Sequence, residues 1–296
     1  MIDISKGRYW DEGITLVDGC TPCSPGCDHC WSAGQAHRFY REGEPGHESG
    51  IFTDDKGRFN GDIMVHPDRL KRFNTRKPKV FAIWNDLFHE AVSFDFILAT
   101  LIHAVGRTDN KYLILTKRPQ QAVRFFNWME KEAMRTVEIR DGFYFGLTVC
   151  NQSEWDDNKD SFISIPSKKF ISHEPALGAI VYGDGLTLID GLLSGGETGT
   201  GARPSHPDIF RKDREQCAFY GVDFFFKQCG EWIPMSVLIK DGSWVKYAKT
   251  QHSLDTNGFI TEEYRPRACS MYRVGRNKAC RLLDGKEHNE LPWRKA

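Results

Sequence analysis

Seven short, β-rich apolar runs punctuate this chain, each closed by polar or glycine residues. They are Ile14–Val17, Val80–Trp84, Tyr112–Thr116, Phe143–Val149, Lys169–Ser172, Leu186–Ser194 and Val222–Lys227. Between several of them the apolar spacing lengthens to three and four. Phe94, Ile97, Leu98, Leu101, Ile102 and Val105 follow it, and Val123, Phe126 and Trp128 to Met134 follow it more loosely. Pro207 to Tyr220 has Pro in a first turn and Gly221 just past its end, a helix start and stop signature. Strand–helix alternation predicts a parallel sheet with helices packed outside it. Seven strands in about 215 residues favour an α/β barrel or partial barrel over a small open sheet, although alternation alone leaves the latter open.

In either architecture the functional site belongs at the carboxyl ends of the strands, where the unusual residues gather. A cysteine loop follows the first run, Asn85-Asp86-Leu-Phe-His89 the second and Lys117-Arg118-Pro119 the third. Cys150-Asn151-Gln152 follows the fourth, His173-Glu174-Pro175 the fifth, Gly195-Gly196-Glu197-Thr-Gly-Thr-Gly201 the sixth and Gln228-Cys-Gly-Glu231 the seventh. After about residue 232 the alternation stops. The expected organisation is therefore a (β/α) barrel domain over 1–231 and a C-terminal appendage of short strands and turns over 232–296.

Composition narrows the setting. The 296 residues are 40% hydrophobic with zero formal net charge, values of an ordinary soluble globular protein. Nothing global calls for nucleic acid or membrane. Two local basic stretches, Arg69, Lys71, Arg72, Arg76, Lys77, Lys79 and Arg265, Arg267, Arg273, Arg276, Lys278, Arg281, either hold phosphates or form solvated faces. The N-terminus lacks an apolar signal region and no segment approaches a membrane span, so a cytoplasmic, reducing location without a membrane partner is expected.

Nine cysteines in that setting argue for metal or redox chemistry rather than a disulfide framework. Four of them lie within eleven residues, Cys20-Thr-Pro-Cys23-Ser-Pro-Gly-Cys27-Asp-His-Cys30. Packing has no need of four thiols on a Gly/Pro-rich turn, and thiolates held this close require a metal or cluster to take up their charge. Zinc sites built from two cysteine pairs usually separate the pairs by a dozen or more residues, whereas three separate them here. Cys150, Cys217, Cys229, Cys269 and Cys280 are scattered and read as plain thiols. The Gly195–Gly201 turn lacks the Lys-Ser/Thr of a P-loop and reads as either a cofactor-contacting loop or a mere turn. Glu174 can accept a proton or hold a hydroxyl or amine, Asp86 and His89 likewise, and Lys117 and Arg118 can hold a carboxylate or phosphate. Each alone reads equally well as a salt-bridged surface residue.

Cys23-x3-Cys27-x2-Cys30 resembles the spacing of the radical S-adenosylmethionine (radical SAM) enzymes. Over most of its length the chain also resembles the phage-type three-cysteine-motif proteins, themselves radical SAM-like. The matching blocks are Gly19-Cys20, Ser24-Pro-Gly-Cys27-Asp-His-Cys30-Trp31, Asn85-Asp-Leu-Phe-His89, Leu115-Thr-Lys-Arg-Pro119 and Gly146-Leu-Thr-Val149 with Asn151-Gln152. They continue with Ser172-His-Glu-Pro175, Gly195-Gly-Glu-Thr-Gly199, Ala202-Arg-Pro204, Phe225-Phe-Lys-Gln228, Gly230-Glu-Trp232 and Leu283-Asp-Gly285.

This resemblance implies a radical SAM-type partial (β/α) barrel and a [4Fe–4S] cluster held by Cys20, Cys27 and Cys30, with Cys23 the rival to Cys20 as first ligand. It implies S-adenosyl-L-methionine as cofactor and a reductant such as flavodoxin or ferredoxin. Strand order carries Asn85 and Asp86 over to the methionyl amine and Thr148 and Asn151 to the ribose. It carries Glu174, Gly195 and Gly196 to the adenosine or substrate. Glu174 and Lys117 are the candidate catalytic side chains. The expected activity is S-adenosylmethionine cleavage to a 5′-deoxyadenosyl radical that modifies a nucleobase or nucleotide of phage DNA, in host cytoplasm. Two alternatives remain: a non-catalytic nucleic-acid-binding protein with a structural zinc or Fe–S site, and a radical SAM enzyme acting on a small metabolite or peptide.

Overall fold

The computed structural model describes residues 4–40, 51–107, 109–131, 142–238, 251–261, 268–279 and 281–294. Met134, Arg265, Arg267 and Cys280 lie outside the described residues. In chain order the elements are β1 (Glu12–Thr15), β2 (Val17–Gly19), α1 (Trp31–Phe39), β3 (Ile63–Val65), β4 (Val80–Trp84), α2 (Phe94–Val105) and β5 (Lys111–Thr116). There follow α3 (Pro119–Lys131), β6 (Phe143–Thr148), α4 (Gln152–Ile163), β7 (Lys168–His173), β8 (Gly191–Gly195), α5 (Pro207–Tyr220) and β9 (Asp223–Gln228). The chain continues through β10 (Trp232–Pro234), α6 (Met235–Leu238), β11 (Gln251–Leu254) and β12 (Cys269–Arg273).

Seven strands form one sheet in the order β1-β4-β5-β6-β7-β8-β9, which makes this an α/β fold. The pairs β1–β4, β4–β5, β5–β6 and β8–β9 run parallel. The order advances without reversal, as in a (β/α) barrel, and lacks the switch point of a doubly wound sheet. Val80–Ile83, Phe143–Leu147 and all of β8 are buried. Burial on both faces of a parallel sheet is why these strands read as continuous apolar runs.

The described residues fall into two compact units, one within 9–148 and 157–170, the other within 4–8, 149–156 and 171–294. Aromatic rings fill the core of the first: Phe81 stacks on Tyr112 at 5.7 Å, and Phe88 lies 5.8 Å from Phe145. In the second, Phe210 packs on Phe226 at 5.0 Å and Trp155 edge-on to Tyr182 at 5.2 Å. The second unit also holds a three-stranded antiparallel sheet, β10-β12-β11.

Two expected strands differ in detail. Ile14–Val17 is divided: β1 ends at Thr15, and β2 turns away to pair antiparallel with β3. Leu16 at the break accepts a backbone bond from His66. Within Leu186–Ser194, Leu186 to Leu188 belong to a 3-10 turn over Gly183–Leu188, and only Gly191 onward is strand. In α2 the buried face is Phe96, Ile97, Thr100, Leu101 and Ala104, so the stripe is rotated from the expected one and Ile102 is exposed. Helix α5 has the expected ends. His206 caps it through Nδ1 to Asp208 N, Pro207 follows, and Gly221 closes it in the left-handed region at φ 72°.

Candidate functional site

The cysteine loop leaves β2 at a position only glycine can occupy. Gly19 has φ 83°, and a Cβ there would lie 1.9 Å from the Asp62 carbonyl oxygen. Just before it, buried Asp18 accepts from Tyr40 Oη at 2.6 Å, His66 Nε2 at 2.6 Å and Arg69 Nη2 at 3.4 Å. Tyr40 caps the far end of α1, so one carboxylate fixes both the strand entering the loop and the helix leaving it.

Inside the loop Ser24 caps a 3-10 turn over Pro25–Cys27 by accepting from Gly26 N at 3.2 Å. Its Oγ also lies 3.7 Å from Cys27 Sγ. The Cys23 thiol donates to Cys27; this bond, the Cys23 backbone amide and the charge of Lys117 overcome burial and bring Cys27 down to about 5. Donation to Cys27 and burial drive Cys23 strongly upward. Burial pushes Cys20 up to about 12, opposed by Arg118, and also raises Cys30, opposed by the Ala33 and Ser32 amides at the start of α1. Cys27 is thus the electrostatic focus of the loop, with Cys20, Cys23 and Cys30 all acting on it or acted on by it.

Two strand ends support the loop. After β4, Asn85 sits in the left-handed region at φ 57°, which Asn tolerates better than most side chains. It donates from Nδ2 to Val17 O at 2.7 Å and accepts from Ser32 Oγ at 2.5 Å. Buried Asp86 accepts four bonds: Phe88 N at 3.0 Å and Thr116 Oγ1 at 2.7 Å on one oxygen, Lys117 N and Arg118 Nη1 at 3.0 Å each on the other. A carboxylate so occupied organises the site rather than presenting itself to a ligand. Arg118, from the end of β5, donates from Nη2 to Thr21 O at 2.8 Å, and its Nη1 lies 3.8 Å from Cys20 Sγ. Its Nε bonds Glu90 at 2.8 and 3.0 Å. Lys117 acts electrostatically on Cys23, Cys27 and Cys30, and its Nζ lies 3.5 Å from Thr148 O.

His89 Nδ1 accepts from Ala91 N at 3.2 Å, leaving Nε2 to donate to Thr21 Oγ1 at 2.9 Å. Burial, then the Arg118 charge, pushes its basicity down, in keeping with a neutral ring. Beside the loop, Trp31 is 47% exposed and meets Trp84 edge-on at 4.9 Å; Trp84 meets Trp10 likewise at 5.4 Å.

The remaining expected residues belong to the second unit. Asn151 caps α4 by accepting from Glu154 N at 3.0 Å. Glu174 pairs with Lys227 at 3.1 Å, accepts weakly from Ser172 Oγ at 3.5 Å and packs on Gly195, where a Cβ would lie 2.6 Å from Oε1. Gly196 approaches the Cys229 carbonyl, which a Cβ would meet at 2.2 Å. Close packing accounts for both glycines. On the other side of β7 and β8, His173, Ser194 and Tyr182 all turn to the buried Asp213 of α5.

Cys20, Cys23, Cys27, Cys30, Asn85, Asp86, Lys117 and Thr148 are thus gathered in the first unit. The sequence reading missed Asp18, Tyr40 and Ser32, and it did not single out Arg118 as the residue gripping the loop. An acid inside an apolar strand was the available signal for Asp18. Of the first basic stretch, Arg69 serves Asp18, while Arg72 and Lys79 both pair with Glu12 at 2.7 Å. In the second, Arg273 donates to Gly199 O and Arg281 to Lys227 O.

A donor set of four thiols suits a soft metal or an iron–sulfur centre, and Lys117 and Arg118 stand where they offset thiolate charge. Among the described residues, the side chains as placed form no group of three or more His, Cys, Asp or Glu around a metal position. No helix among them is long and apolar enough to cross a membrane. No curated protein and no solved structure matches the chain. A family model matches residues 5–292, and the chain therefore belongs to the family described as protein of unknown function (DUF5131).

Proposed function

We propose that the protein is a radical SAM enzyme whose [4Fe–4S] cluster is held by Cys20, Cys27 and Cys30. The observation that supports this reading is the four thiols of one loop, with Arg118 Nη1 3.8 Å from Cys20 Sγ and Lys117 acting electrostatically on Cys23, Cys27 and Cys30. Three protein ligands leave a fourth position open for a small-molecule cofactor, unlike a closed structural site. When bound, the cluster supplies the electron that cleaves S-adenosylmethionine to a 5′-deoxyadenosyl radical. The chain's own contribution is to hold the thiols, offset their charge and exclude water.

For the substrate we propose a nucleobase or nucleotide. Trp31, exposed and braced edge-on by Trp84, offers a stacking face next to Cys30. Three basic side chains of the first stretch are engaged within the protein, which favours recognition of a base over a long phosphate footprint.

Anaerobically purified protein should be brown, absorb broadly near about 400 nm and carry about four irons per chain. Reduced with S-adenosylmethionine, it should release 5′-deoxyadenosine. Colourless protein with stoichiometric zinc and no such product overturns the proposal in favour of a structural site.

A further inference from the structure

Arg118 holds the start of the cysteine loop through both Cys20 and Thr21. It is 7% exposed and comes from the end of β5, a strand distant in sequence from the loop. One guanidinium nitrogen reaches Cys20 Sγ at 3.8 Å and Asp86 at 3.0 Å. The second terminal nitrogen takes the next carbonyl, Thr21 O, at 2.8 Å, and Nε takes Glu90. Nε and both terminal nitrogens of the planar fork are thus engaged, and two of their bonds fall on Cys20 and the residue after it. Cys23 is exposed, and although the arginine's charge acts on it, none of these hydrogen bonds reaches it.

Resting on the cluster reading above, we infer that Arg118 is a positioning residue that selects Cys20 over Cys23 as first cluster ligand and sets the cluster's reduction potential through its hydrogen bond to the Cys20 sulfur. Hydrogen bonds and positive charge at ligand sulfurs stabilise the reduced, more negative cluster and so raise the potential. An ammonium at this position keeps the charge but cannot hold the sulfur and the Thr21 carbonyl in one rigid geometry.

The test compares reconstituted wild type with Arg118→Lys and with the double variant Arg118→Gln/Asp86→Asn. The double variant avoids leaving a buried carboxylate without its partner, and far-ultraviolet circular dichroism checks that each variant is folded. Asp86→Asn alone is the control. The readouts are iron per chain, the midpoint potential from a dye-mediated redox titration, and iron retention in Cys20→Ala and Cys23→Ala. Arg118→Lys should lower the potential, the double variant should lower it further than Asp86→Asn does, and only Cys20→Ala, not Cys23→Ala, should lose the cluster. A purely structural role would change iron content without moving the potential of the cluster that forms. If wild type takes up four irons and the Arg118 variants share its potential, the inference is overturned and the cluster reading stands. Retention of the cluster in Cys20→Ala also overturns it. If wild type takes up no iron, both fail together.

Discussion

Ser32 Oγ donates to Asn85 Oδ1 at 2.5 Å, joining the helix that leaves the cysteine loop to the turn that leaves β4. Asn85 also holds Val17 O through Nδ2, so one amide spans both ends of the loop from a left-handed backbone position. Asn85→Ala loses both bonds and keeps the unfavourable φ; it should cost about 2 kcal/mol in urea denaturation. Asn85→Gly loses the same bonds but fits the backbone, and should cost about 1 kcal/mol less. Equal losses would mean that the backbone conformation contributes nothing.

Gly19→Ala should be far more damaging. The methyl group would sit 1.9 Å from the Asp62 carbonyl oxygen, on a residue at φ 83°. The neighbour is backbone and cannot turn aside. A loss of at least about 2 kcal/mol is expected, with proteolytic cleavage appearing first around the β2–β3 pair. A variant with wild-type melting and protease resistance would contradict the placement of this strand.

These two residues also mark the limit of what the sequence made legible. The seven main strands were readable because a parallel sheet buries both faces and leaves continuous apolar runs. Strands β2 and β3, three residues each, carry too few residues for any periodicity to register. The Leu186–Leu188 segment is apolar enough to resemble a strand, yet it packs Leu186 and exposes Leu188 in a turn opened by Gly183-Asp184-Gly185. In the site, four cysteines on a Gly/Pro-rich turn announced themselves. The grip of Arg118 on Cys20 did not, since the two are separated by 98 positions and nothing local distinguishes that arginine from Lys117 beside it. Nor was it legible that both oxygens of Asp86 would be engaged by four bonds within the protein, since three of the donors come from the next strand end.

In iron-free protein Cys27 should be the most reactive loop thiol. Only the thiolate attacks iodoacetamide, and hydrogen bonding from Cys23 brings Cys27 down to about 5, while Cys20, Cys23 and Cys30 all lie above the ordinary thiol value. Its alkylation rate, followed by peptide mass spectrometry, should be near its plateau at pH 7 and fall as pH drops through about 5. Cys23→Ala removes the largest cause and should move that fall to higher pH. If Cys27 reacts no faster than Cys20 at pH 7, the hydrogen-bonded pair is not as described.

His89 gives a second pH dependence with a definite sign. Burial and Arg118 hold its folded value below the ordinary 6.5. As pH falls below that value the unfolded chain takes up a proton that the folded chain resists, so its contribution to stability is full above about pH 6.5 and declines below it. His89→Gln keeps a donor toward Thr21 but cannot be protonated. Urea denaturation between pH 7.5 and 5 should show a shallower loss of stability in this variant than in wild type. Parallel pH profiles would show that the ring titrates as if in water.

Glu174 separates a ligand-holding role from a structural one because its ion pair with Lys227 can be tested from either side. Glu174→Gln is isosteric, so it preserves the tight packing on Gly195 and can still accept from Lys227. If the carboxylate holds a hydroxyl or amine of the cofactor, this variant should melt close to wild type yet bind S-adenosylhomocysteine about tenfold more weakly by calorimetry, a loss of about 1.4 kcal/mol. Lys227→Met should do the reverse to stability, lowering the melting temperature by stranding a largely buried carboxylate. A merely structural pair would weaken folding in both variants and affinity in neither. Affinity lost in Glu174→Gln with stability intact is an outcome that only direct contact with the ligand produces.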